Sequence, residues 1–183
     1  MSGTIDRRDA LITLGTVAGS LAALPLVRAE DGQPHPLGTP ETYEWKRPGR
    51  PVTAAIMGAG ARGNGYAAYA AAHPDELKIV GVAEPIPHRT QSMAEAHGIP
   101  SEHRWDTWER AFEVPAFCDA IIITTPDHLH YGPATAALER GYDLLLEKAI
   151  AQSWPQCRDI LARTRAKEAI VGVCHVMRYS PYF

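Results

Sequence analysis

The sequence is poor in the features that assign a chain quickly to a special class. It has only three cysteines, Cys118, Cys157 and Cys174, at spacings of 39 and 17. There is no CxxC pair, and an odd number cannot all pair within one chain, which argues against a disulfide framework and a thiolate metal centre. The simpler reading is that all three are small buried thiols. No metal site is expected. Charge of one sign is also scarce: 18 Lys and Arg stand against 21 Asp and Glu, a net charge of −3 with no basic block. Nucleic-acid surfaces gather Lys and Arg, so no nucleic-acid partner is expected. The most apolar stretch, residues 10–27, is diluted by Gly15, Gly19 and several Ala, Thr and Ser, which is weak for a membrane span.

What remains is an ordinary globular composition, 45% apolar and 21% charged over 183 residues. That length gives room for one domain and a short appendage. Residues 1–29 read as the appendage. Arg7-Arg8 precede the apolar stretch, and Val27-Arg28-Ala29 puts small residues where a signal peptidase inspects the chain. This is the plan of an export signal, and the paired arginines point to the twin-arginine route, although Ala10 stands where such signals usually carry Phe. A retained anchor is the alternative. The protein is therefore expected to be exported to the periplasm, touching membrane only through this signal. Residues 30–51 carry Pro34, Pro36, Pro40, Pro48 and Pro51, which prevent regular helix or central strand. They read as an arm or linker, its Tyr43 and Trp45 either lying on a neighbouring subunit or left on a tether.

The domain proper is expected over 52–183. Residues 52–57 (VTAAIM) suit a buried parallel strand. They run into Gly58-Ala59-Gly60-Ala61-Arg62-Gly63, then a helix from Asn64 to Ala72, then a second apolar run, 77–83, that ends at Glu84. The three glycines differ in what they permit. Gly58 allows the tight turn, Gly60 lets backbone approach a pyrophosphate, and Gly63 lets helix pack on sheet. The helix start offers unpaired N–H groups to phosphates. Glu84 can accept hydrogen bonds from an adenosine ribose, which favours NAD. Arg62 and Arg89 keep NADP open, since either could meet a 2′-phosphate. A glycine motif alone is weak, but strand, motif, helix, strand and terminal acid in this order are much stronger.

Further along, helices are expected over 88–97, 107–113, 131–140 and 154–167, the last capped by Ser153. Strands are expected over 120–123, 144–146 and 170–173. Alternation of this kind means a parallel sheet covered on both faces, an α/β doubly wound Rossmann-type fold. In such sheets ligands bind beyond the carboxyl ends of the strands, and Glu84, residues 124–130, Lys148 and His175 all fall at strand exits. His130 has two readings, a helix N-terminal histidine in a polar network or a contact to cofactor.

Thr125-Pro126, His130, the helix to Gly141, Glu147-Lys148 and the ending Gly172-Val-Cys-His-Val-Met-Arg-Tyr179 together resemble the glucose-fructose oxidoreductase/inositol dehydrogenase (Gfo/Idh/MocA) family. The resemblance spans about residues 52–183. It implies that Thr124, Thr125, Pro126, His128 and His130 lie along the nicotinamide side of the cofactor, with Glu147 close by. It makes Lys148 the catalytic residue that contacts substrate, and sets His175, Arg178 and Tyr179 at the edge of the substrate cleft. Ala149 stands where the family has proline, so Lys148 is expected to be held less firmly. The resemblance also implies a second, substrate-binding domain that this sequence does not contain. The activity implied is hydride transfer on a sugar, cyclitol or related polyol. The alternatives are an NAD-dependent glycosidase, or a non-catalytic dinucleotide-binding module. An open sheet edge and the arm leave room for a homo-oligomer. The twin-arginine route agrees with such a cofactor, because a protein that folds before export can carry a cytosolic dinucleotide with it.

Overall fold

The computed structural model describes residues 49–175 and Met177. The stretch read as an export signal, most of the expected arm, Arg178 and Tyr179 lie outside the described residues. Six parallel strands form one sheet: β1 (Val52–Met57), β2 (Leu77–Ala83), β3 (Arg104–Trp105), β4 (Ala120–Ile123), β5 (Asp143–Glu147) and β6 (Val171–Cys174), in the order β3-β2-β1-β4-β5-β6. Five α-helices connect them: α1 (Ala61–Ala72), α2 (Pro87–His97), α3 (Trp108–Ala111), α4 (Tyr131–Glu139) and α5 (Trp154–Lys167). This is the expected Rossmann-type sheet.

The strands look uniformly apolar because both faces of the sheet are covered, yet the period of two survives in the packing. Ala54 and Ile56 pack with Ala67 and Ala70 of α1 and with Met93 and Ala94 of α2. Ala55 and Met57 turn the other way, into a layer with Ala134, Ala137 and Leu138 of α4 and Ile160 of α5. Ile56, Met57, Ile121 and Ile123 are fully buried, so β1 and β4 run through the interior of the core.

Most elements run one to three residues away from their sequence expectation, with consequences in three places. Helix α1 begins at Ala61, not Asn64, so the glycine motif itself opens the helix. Strand β5 includes Glu147, whose side-chain direction is thereby set by the sheet. Strand β3 was not expected at all; two residues carry no readable period, and it forms because Val82 and Ala83 offer it a parallel edge. Ser153 caps α5 as expected, accepting from the Gln156 N–H. The cysteines depart from expectation, because all three are half-buried. Burial still pushes the Cys118 thiol up to about 12.

Candidate functional site

Because every strand is parallel, all six exits share one rim. The order reverses between β1 and β4, where successive connections leave on opposite faces and open a crevice.

The exit of β1 is a tightly built glycine turn. Gly58 has φ +103°, and a Cβ there would lie 2.8 Å from the Thr124 carbonyl oxygen. A Cβ on Gly63 would come within 2.2 Å of the Gly58 carbonyl oxygen and 3.1 Å of Thr124 Oγ1. Thr124 sits in the gap these glycines leave and donates its hydroxyl to the Gly58 carbonyl at 2.6 Å. Asn64 Nδ2 donates to the carbonyls of Ala59 (3.0 Å) and Gly60 (2.9 Å). Gly60 is different: a Cβ there would meet nothing within 4 Å. The loop is closed underneath and open above, at the start of a helix whose first N–H groups have no partners within the helix.

Glu84 is 5% exposed. Oε2 accepts the Ala59 N–H at 2.7 Å and Oε1 the Ile86 N–H at 3.0 Å. It thus serves first to hold the glycine loop against β2, with any ribose contact falling to its remaining lone pairs. Arg89 Nη1 stands 3.9 Å from the same carboxyl. Arg62 points elsewhere, with Nε 3.6 Å from Glu147 Oε1. Glu84 and Glu147 end β2 and β5, on opposite sides of the β1/β4 reversal, so Arg62 does not stand beside Glu84. Of the two arginines that left NADP open, only Arg89 stands beside Glu84.

On the other side of the crevice, Lys148 leaves β5 half-exposed, its Nζ 3.4 Å from Asp127 Oδ2. The Lys148–Ala149 peptide bond is cis. His130 is fully buried, Nδ1 lying 2.6 Å from the Ala149 carbonyl oxygen and Nε2 2.8 Å from that of Thr125. Of its two readings the polar network is the observed one. With no exposed surface and both ring nitrogens engaged, its side chain does not reach the crevice, and it ties the loop after β4 to the loop after β5. Pro126 and His128 are exposed, as is His175 at the exit of β6. Thr125 Oγ1 is buried and has no hydrogen-bond partner, alone in this respect among side-chain atoms of the described residues.

Sequence reasoning missed two residues. Tyr66, four residues after Arg62 on α1, donates its hydroxyl to Glu147 Oε1 at 2.7 Å. Its phenol is held above the usual range first by burial, then by Cys174 and Glu147. The readable signal was parity: Leu145 packs on the α1 face, so Glu147, two residues on, faces α1 as well. Asp127 was passed over inside a loop whose other polar members were named. Among the described residues no cluster of His, Cys, Asp and Glu could hold a metal ion, and no helix is long and apolar enough to cross a membrane.

A parallel sheet with a glycine turn, a helix N-terminus and a polar crevice at its strand exits defines a dinucleotide-binding Rossmann domain. The chain belongs to the Gfo/Idh/MocA oxidoreductase family, whose NAD-binding Rossmann fold matches residues 52–175. It is 27% identical over 134 residues to scyllo-inositol 2-dehydrogenase (NAD(+)) of Bacillus subtilis, covering 72% of this chain and 38% of that protein. It is 30% identical over 102 residues to 2,7-anhydro-N-acetylneuraminate hydratase of Mediterraneibacter gnavus, covering 56% of this chain and 26% of that protein. The fold is shared with the WlbA dehydrogenase of Bordetella pertussis, solved in complex with NADH and UDP-GlcNAcA, at a TM-score of 0.65 and 19% identity over 72% of this chain and 40% of that one. The chain thus spans well under half the length of each of these proteins.

The site fits NAD on two counts of its own geometry. The space above Gly60 is the kind of cradle a pyrophosphate fills, and the unpartnered Thr125 hydroxyl at the exit of β4 has a polar contact to offer.

Proposed function

We propose that the chain is the cofactor-binding part of an NAD-dependent oxidoreductase that acts on a sugar, cyclitol or related polyol. The observation that carries the reading is the placement of Lys148: it leaves β5 with a half-exposed ammonium, across the crevice from the open glycine cradle. When bound, NAD supplies the hydride acceptor or donor. The chain's own residues do the rest. The start of α1 and the Gly60 backbone receive the phosphates. Glu84 keeps the loop in shape, and Thr125 offers its hydroxyl to the nicotinamide half. Lys148 donates a hydrogen bond from Nζ to a substrate oxygen and holds the proton that this oxygen gains or loses as its carbon changes oxidation state. Asp127 holds the ammonium until substrate takes its place.

Titration of the purified protein with NADH and NADPH tests the cofactor part. NADH is expected to bind more tightly, and tighter NADPH binding would transfer the ribose role from Glu84 to Arg89. For the chemistry, the full-length protein is assayed for NAD reduction with inositols and oxidised or amino sugars. Loss of turnover in Lys148→Ala with NADH binding retained is the expected result, and unchanged turnover would remove Lys148 from the reaction.

The hydratase among the relatives favours a second reading, in which the domain serves an enzyme whose net reaction is not a dehydrogenation. Product analysis separates the two, since a dehydrogenase accumulates NADH and a hydratase does not. Export by the twin-arginine route is part of the proposal. It is supported by Arg7-Arg8 and the weakly apolar stretch behind them, and replacing both arginines with lysine should trap the protein inside the cell.

A further inference from the structure

We infer that Tyr66 is a positioning residue that couples the phosphate-binding helix to the lysine at the exit of β5. The inference rests on the dinucleotide reading above. Helix α1 carries Arg62 and Tyr66 one turn apart, and both reach the same carboxyl: the Tyr66 hydroxyl bonds Glu147 Oε1 at 2.7 Å and Arg62 Nε stands 3.6 Å from that oxygen. The other oxygen, Glu147 Oε2, accepts the backbone N–H of Lys148 at 3.2 Å. Glu147 is 4% exposed, and a buried carboxyl that loses a partner is costly to the fold around it. Cys174 is the parallel neighbour of Glu147 in the sheet. Burial, the largest cause, raises its thiol above the ordinary range. Tyr66 is therefore the neutral donor that completes the Glu147 cluster, and the carboxyl in turn fixes the backbone from which Lys148 departs.

The sheet divides the ligand accordingly. Adenosine and phosphates belong to the β1–β2 side and nicotinamide to the β4–β5 side. Loosening Glu147 should therefore disturb the nicotinamide end and leave the phosphate cradle alone. ADP-ribose, which carries everything but the nicotinamide, provides the comparison.

The experiment is calorimetric titration of wild type and Tyr66→Phe with NADH and with ADP-ribose, beside thermal melts of each protein. The expected result is an NADH affinity at least fivefold weaker in Tyr66→Phe, with ADP-ribose affinity within about twofold of wild type. Glu147→Gln should show the same split, and the double variant should be no weaker than the worse single one. Equal loss of both ligands would mean that Tyr66 merely supports α1, and no loss of either would mean that it positions nothing. Both outcomes overturn the coupling. Wild-type protein that binds neither ligand overturns it together with the dinucleotide reading, and the wild-type titrations tell that case apart.

Discussion

The two rims of the sheet differ in how completely they satisfy their polar groups. At the amino rim, Asp119 is saturated. It accepts two bonds from Arg50 (2.6 and 2.7 Å), the Thr53 N–H at 2.8 Å and the Thr53 hydroxyl at 2.7 Å. Its neighbour Asp143 accepts the Ile170 N–H at 2.8 Å. At the carboxyl rim, Gly60 faces open space, Lys148 and Asp127 meet in water, and the Thr125 hydroxyl is buried without a partner. Buried polar groups are normally satisfied. Glu84, Glu147 and His130 are satisfied at the carboxyl rim too, so the contrast lies in the few groups left with spare capacity there, which is what the proposed function requires of a ligand-binding rim. Substitutions at the two rims should separate these roles.

The largest effect is expected at the glycine turn. In Gly63→Ala the new methyl would collide with the Gly58 carbonyl, a backbone atom that cannot swing aside, so the loop must move. NADH affinity should fall by at least about 100-fold, and stability by about 1–3 kcal/mol as in other overpacked sites. Titration and melting of the same sample check both. A variant that melted normally and bound NADH normally would mean that the closed underside of the loop has no part in binding.

Next comes the amino rim. Asp119→Ala should cost about 1–2 kcal/mol of stability, the range for charge-assisted hydrogen bonds reduced for a site that is one-third exposed. NADH affinity of the folded protein should stay within about twofold. The Arg50 guanidinium, then the Thr53 N–H, hold the Asp119 carboxyl well below the usual range. A depressed native pKa stabilises the fold above the unfolded value, about 3.9, and that stability is lost as pH falls below it. Wild type should therefore lose stability between about pH 4 and pH 2 more steeply than Asp119→Ala. Parallel acid melts of the two proteins would remove Asp119 from the account.

What the sequence made legible follows the same division. The strand–glycine–helix order, the acid at the end of β2 and the lysine at the exit of β5 were readable because local chemistry dictates them: a turn that only glycine fits, and a polar residue where an apolar run stops. Parity could give the face of the sheet for a residue such as Glu147, but not the partner it meets there. Glu84 spends its oxygens on Ala59 and Ile86, Arg62 turns to Glu147, and His130 is buried between two carbonyls. In each case at least one partner lies in a distant segment whose register the linear pattern does not contain. The Arg50–Asp119 pair, 69 residues apart, was invisible for the same reason. Strand β3 was missed because two residues cannot show a period.

The smallest effect is the sharpest test of the contrast between the rims, because it should change sign between free and bound protein. Thr125→Val keeps the shape of the side chain and removes the unpartnered hydroxyl. In the free protein this relieves a buried polar group of its missing bond, so stability should stay level or rise by up to about 1 kcal/mol. In the complex the same change deletes a contact on the nicotinamide side, so NADH should bind about fivefold more weakly, a loss of about 1 kcal/mol. A melt without ligand and a titration with it measure the two halves on one preparation. If the variant were destabilised and bound NADH unchanged, the hydroxyl would be a part of the fold like those at the amino rim. The opposed signs are what a group reserved for ligand produces, since its desolvation is borne by the free protein and recovered only when the partner arrives.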